Sequence, residues 1–123
     1  GLTSGQHFVP PSDEIPPIIS LQGAILTSID LQGAYLRMAN LSGADLRKAN
    51  LRKAYLTGIM LNKADLREAD LKEANLRFAV LRGAKLQRAD LRGADLQGVD
   101  LRGIDLNDTK VCEEDLEKAI LEY

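Results

Sequence analysis

The sequence predicts an all-β fold, a four-sided β-helix assembled from five-residue units. Three observations predict it. Leucine occupies every fifth position from Leu21 to Leu106, eighteen in succession. Two residues before each leucine stands a small or β-branched residue, usually alanine, as in Ala34, Ala39, Ala44, Ala49 and Ala54. The eight glycines of this region, Gly23, Gly33, Gly43, Gly58, Gly83, Gly93, Gly98 and Gly103, all fall at the same place in the five.

A period of five suits neither ordinary element. On a helix, successive leucines would lie roughly 140° apart and be smeared around the surface, leaving no core face. On a continuous strand, an odd spacing sends them to opposite faces in turn. A chain that turns a corner after each short extended piece does fit. The small residue and the leucine two further on then point inward together, the residue between them points outward, and the remaining two make the corner. Glycine at the second corner position fits a type II turn, whose second central residue needs φ > 0. A different turn type is expected where that position holds Lys48, Lys53, Lys63, Glu68, Glu73 or Arg88.

Near-square corners close one coil with four fives, so residues twenty apart stack. Leu21 would lie under Leu41, Leu61, Leu81 and Leu101. Alanine is required between the leucines because a narrow square interior has no room for two large side chains per edge. The exceptions are Ile29, Val99 and Ile104 toward the ends and Ile59 in the middle. About four and a half coils at strand spacing give a stack near 22 Å.

Ala-Asp/Asn-Leu units, seen at Ala44-Asp45-Leu46, Ala64-Asp65-Leu66, Ala69-Asp70-Leu71 and Ala94-Asp95-Leu96, resemble the pentapeptide-repeat family over roughly residues 19–113. The resemblance implies a right-handed quadrilateral β-helix. It further implies a bacterial and notably cyanobacterial source, and end-to-end dimers through a terminal cap. For function it implies a mixed set, in which the best-known activity is imitation of duplex DNA by an acidic rod presented to type II topoisomerases such as gyrase, giving quinolone resistance.

At 123 residues the chain is one structural unit. Residues 1–18 hold all four prolines and read as an extended segment, with Ile15, Ile18 and Ile19 draped over the first coil. Residues 19–113 are the β-helix. Residues 114–123 read as a short amphipathic helix, Leu116, Ala119, Ile120 and Tyr123 falling at helical spacing behind acidic residues. Raw β-helix ends invite polymerisation, so this helix either covers its own coil or serves as a dimer contact through Ile120 and Tyr123. The sequence has no apolar run that would span a bilayer and no signal-peptide pattern, so a soluble cytoplasmic protein is expected; a processed periplasmic or thylakoid-lumen chain would read the same way. The single Cys112 excludes an internal disulfide.

No enzyme constellation is present, and neither catalysis nor a cofactor is expected. The one histidine, His7, stands in the N-terminal segment without a folded partner. Stacked Asp45 and Asp65, or Asp70 and Asp90, would repel each other, but Arg47, Arg52, Arg67 and Arg92 offer compensation, so no metal site is expected. Charge argues against DNA mimicry as well. Residues 19–113 carry fifteen Lys/Arg against twelve Asp/Glu, a net of +3, and the overall −2 comes from the ends. Direct nucleic-acid binding wants a concentrated basic field. Here Arg37 and Arg77 share one face, Arg47 and Arg67 another, and Arg52, Lys72 and Arg92 a third, in a chain of pI about 5.4.

The remaining reading is a non-enzymatic scaffold with a protein partner. Twenty-residue arithmetic makes Tyr35 and Tyr55 an aromatic ladder, puts Met38, Gly58 and Phe78 at the adjoining corner, and places Met60 beneath Val80 round that corner. Tyr35, Met38, Tyr55, Met60, Phe78 and Val80 would then form one apolar-aromatic patch on a polar rod, the usual mark of a partner surface. Two alternatives stand beside this reading: a tyrosine ladder that only stabilises the stack, which leaves Met60 and Val80 unexplained, and an N-terminal segment folded over the patch.

Overall fold

The computed structural model describes residues 19–122. The N-terminal segment 1–18, with His7, Ile15 and Ile18, lies outside the described residues, as does Tyr123.

Parallel single-residue bridges join positions twenty apart and fall into four columns. The first runs through Ser20, Asn40, Met60, Val80, Asp100 and Ile120, and the second through Ile25, Asp45, Asp65 and Lys85. The third links Asp30, Asn50, Asp70, Asp90 and Lys110; the fourth links Tyr35, Tyr55, Asn75 and Asp95. Each side of a coil is thus one bridging residue wide. Its flanking residues complete the ladder: the leucine amide donates to the carbonyl nineteen residues on, as Leu46 does to Asp65 at 2.8 Å, and the bridging amide donates backward, as Asp45 does to Ala24 at 2.9 Å.

The interior follows from the same register. Every leucine from Leu31 to Leu101 is buried, as is every small or β-branched residue of the inward position from Ala34 to Val99, and no polar or charged side chain is buried with them among the described residues. Ile59 and Val99 are fully enclosed, whereas Ile29 and Ile104 are half-buried near the ends. Large and small inward residues alternate along each edge, so the section stays narrow and close-packed.

Every second corner position has φ between +57° and +76°, whether it holds glycine or not. The positive φ is thus shared by Lys48, Lys53, Lys63, Glu68, Glu73 and Arg88, where glycine is absent, and by Ser28, Met38, Phe78 and Asp108. The reason lies in the backbone. Each corner closes with an i to i+3 bond, such as Ala49 to Leu46 at 3.0 Å, and at the non-glycine corners other than Asp108 the second corner amide donates into the next coil, as Lys48 does to Arg67 at 3.0 Å. A left-handed non-glycine residue costs about 1–2 kcal/mol, and these two bonds offset it.

The C-terminal expectation needs correction. The only helix among the described residues, α1, spans Glu113–Leu116 and is one turn long. The chain then rejoins the ladder: Gly98 donates to the Lys118 carbonyl at 3.1 Å, Ile120 donates to Val99 at 2.8 Å, and Leu101 donates to Ile120 at 2.9 Å. Ala119-Ile120-Leu121 is another Ala-x-Leu unit, so the backbone bonds offered by the coil beneath outweigh a longer helix. Pairing is thinner on two sides of this last coil, where Lys85 has no bridge to Asp105 and Asp95 none to Asp115.

Leu66 sits mid-stack with no exposed surface. Leu66→Asp should abolish the cooperative fold, because an unpaired carboxylate would be buried. A folded variant with the wild-type circular dichroism spectrum would contradict the stacked-coil architecture.

Candidate functional site

The outward positions have a dominant chemistry with a clear cause. The first corner residue needs an acceptor for its amide, and an aspartate or asparagine two residues earlier supplies one. Asp30, Asn40, Asp45, Asn50, Asp65, Asp70, Asn75, Asp90, Asp95, Asp100 and Asp105 each accept from the backbone N–H two residues on, at 2.9–3.2 Å. Such a side-chain cap on a turn is the Asx arrangement, and each bond is worth about 1 kcal/mol net.

Several outward positions forgo this bond, and four of them adjoin one corner. Tyr35 and Tyr55 stack with ring centroids 4.5 Å apart and planes 2° from parallel. Round the corner, Met60 and Val80 are bridged neighbours, both exposed. The corner between these columns carries Met38, Gly58, Phe78 and Gly98 at its second position. Met38 and Phe78 are each 60% exposed although both adopt positive φ. A Cβ at Gly58 would collide with the Met38 sulfur, and one at Gly98 with the Phe78 ring. Each bulky side chain therefore lies over the glycine of the next coil, giving a ridge of alternating large and small residues. The six sequence-predicted patch residues thus stand on two adjoining columns and the corner between them.

The four proposed cap or dimer residues do not form one stripe. Leu116 and Ala119 pack against the core, Ile120 points outward beneath Asp100, and Tyr123 lies outside the described residues. Ile120 is an outward strand residue here, which a helical reading of the tail hides. Ile25, 84% exposed, stands apart in the second column.

The acidic positions are spent internally. Arg47, Arg67, Arg92 and Arg102 each fold back on the aspartate two residues earlier, donating Nε to Oδ1 at 2.8–2.9 Å and Nη2 to Oδ2 at 2.6–2.7 Å. This holds the Asp45, Asp65 and Asp90 carboxyls below the usual range, chiefly through the guanidinium bonds, and Asp100 down to about 2 by the same cause. No cluster of three or more potential metal-ligating side chains exists among the described residues. Partial desolvation, then the neighbouring Tyr55 hydroxyl, pushes the Tyr35 hydroxyl up.

Among the described residues no helix is long and apolar enough to cross a membrane. The family model described as pentapeptide repeats matches residues 19–52, 49–88 and 74–111. Among solved structures, the chain is 34% identical to a pentapeptide repeat protein from the thylakoid lumen of Arabidopsis thaliana, with a TM-score of 0.59 over 73% of this chain and 66% of that one. It is 33% identical to HetL, a pentapeptide repeat protein of the cyanobacterium Nostoc involved in heterocyst differentiation regulation, with a TM-score of 0.42 over 84% of this chain and 57% of that one. Against QnrB1, a plasmid-mediated fluoroquinolone resistance protein, identity is 20% and the TM-score 0.37, over 83% of this chain and 72% of that one. The chain thus spans less than two thirds of each of the first two proteins. No curated protein matches it.

Two predictions follow from this surface. Asp100 is held low in the folded chain, so its ionised form favours folding above the ordinary carboxylate range, and that contribution fades as pH falls toward 2. A carbon-detected NMR titration should find its midpoint at about 2, moving toward 3.8 in Arg102→Ala; a wild-type midpoint already near 3.8 would refute the pairing. Met60→Asn and Val80→Asn should each leave stability unchanged or raise it by up to about 1 kcal/mol in thermal unfolding, by restoring a corner bond. A loss of more than about 1 kcal/mol from either would make the patch a stabilising element.

Proposed function

The chain belongs to the pentapeptide-repeat family, whose fold is the right-handed β-helix solenoid, and on that footing we propose that it is a non-enzymatic interaction or scaffold protein. Its rod presents the corner formed by Tyr35, Met38, Tyr55, Met60, Phe78 and Val80 to a protein partner. The observation that carries this reading is the exchange made at that corner. Four outward positions give up the Asx bond that their Asp and Asn counterparts make. Two further apolar side chains are held exposed in a strained left-handed conformation. Left-handed corners recur along the whole rod, but only at this one do they carry large apolar side chains held exposed, and exposed apolar clusters of this kind mark functional surfaces.

The duplex-mimic reading draws less support, because among the aspartates that would imitate phosphates Asp45, Asp65, Asp90 and Asp100 are paired with their own arginines, Asp70 with Lys72 and Asp95 with Arg77. In our reading α1 and the returning segment cover the last coil, with Leu116 and Ala119 as the covering side chains. Should copies associate end to end, Ile120 and Leu121, both exposed, are the residues presented. We take the protein to work without a cofactor in an aqueous compartment of a bacterium, the cytoplasm.

The test is a pull-down from a cyanobacterial lysate with the wild-type chain and with Tyr55→Ser/Phe78→Ser, purified gyrase being offered separately. A protein retained by wild type and lost by the double variant, whose circular dichroism is unchanged, is the expected result. Gyrase capture that ignores both substitutions would replace this reading with DNA mimicry.

A further inference from the structure

The charges around the ridge are not evenly committed. On the tyrosine side, Arg77 donates to Asp95 at 2.7 Å and Lys53 faces Glu73 at 3.8 Å. On the Met60 side, Arg102 holds Asp100 at 2.7 Å. The acids bordering the patch are thereby neutralised. Two arginines beside it are not so used. Arg37 occupies the first corner position between Tyr35 and Met38, and Arg82 the corresponding position two residues beyond Val80; both are exposed, and neither forms an ion pair among the described residues. Arg82 acts on Asp100 only at longer range, and Arg102 already holds that carboxylate, so the apolar ridge is bracketed by two guanidinium groups outside any close ion pair, complementary to a ligand with an apolar stripe and carboxylates on its margins.

Resting on the partner-surface reading above, we infer that this corner seats an acidic amphipathic segment of a partner protein. Aliphatic or aromatic side chains of that segment lie against Met38, Phe78 and Val80, and its carboxylates are received by Arg37 and Arg82. The same geometry disfavours a nucleic acid. A phosphate backbone needs a continued basic track, whereas the columns past the patch run into Asp95 and Asp100. The facing sides of the tyrosine rings are occupied by each other and offer no slot for a base between them.

Three sets of short immobilised peptides, with Leu and Phe at helical spacing and the other positions filled by Asp/Glu, Lys/Arg or Ser/Thr, are probed with the full chain beside immobilised oligo(dT). The acidic set should be captured best, less so as salt rises. Arg37→Glu/Arg82→Glu should cut that capture at least about tenfold and shift preference to the basic set. Met38→Ser/Phe78→Ser should lower capture of every set. Circular dichroism checks that each variant is folded. Capture indifferent to peptide charge, or unmoved by the arginine substitutions, overturns the acidic-segment inference while the partner surface stands. Capture unmoved by Met38→Ser/Phe78→Ser, or none by any set, overturns the surface itself. Retention on oligo(dT) above all peptides would make it a nucleic-acid site.

Discussion

Everything in this molecule depends on residue i lying on residue i+20 through backbone hydrogen bonds. Each side of a coil contributes a single bridging residue, too little for a sheet to hold by width. The ladder holds because it closes on itself four times per coil and repeats coil upon coil. Inward, that register aligns leucine over leucine and alanine over alanine. Outward, it turns the surface into columns, so any chemistry the rod displays is written as what stands above and below.

The three classes of position differ in how much freedom this leaves them. The interior tolerates small or β-branched residues in one place and leucine in the other. The second corner position must accept a left-handed backbone, and does so even for lysine, glutamate and phenylalanine because two backbone bonds pin it. The outward position has the widest choice, yet most often holds aspartate or asparagine, since these quiet the amide of the corner that follows. An Asp-rich rod is therefore first a rod with satisfied corners, and its acidity does not by itself define an electrostatic surface. What distinguishes one such rod from another lies where an outward or corner side chain contributes nothing to the corner, as at Met38, Met60, Phe78 and Val80.

Much of this was legible in the amino-acid order, and the rest was not for physical reasons. A period of five excludes helix and continuous strand, and adding twenty to a residue number finds its neighbour, so the Tyr35–Tyr55 stack and the Met60–Val80 pair could be read directly. Corner geometry at Lys48 or Glu68 could not, because local preference argues against positive φ there and only the coil-to-coil bonds overrule it. The tail misled in another way. Leu116, Ala119 and Ile120 sit at helical spacing, but Leu116 and Leu121 also continue the count of five, and the ladder won after a single helical turn. Twenty-residue arithmetic applied once more past Asp100 would have placed Ile120 outward. That Arg37 and Arg82 stand outside the close ion pairs needed side-chain geometry, since nothing in the order of residues says which arginine folds back on its own aspartate and which does not.

The closed four-sided register has a consequence for how such a surface can be inherited. Insertion or loss of one five-residue unit preserves the core and every corner, and so need not harm folding. It nevertheless turns all that follows by a quarter of a revolution, carrying Tyr55 away from Tyr35 and Phe78 away from Met38. Surface identity survives duplication or deletion only in whole coils of twenty. Lineages of such rods can drift in length by fives and stay stable, while a recognition face constrains length change to twenties.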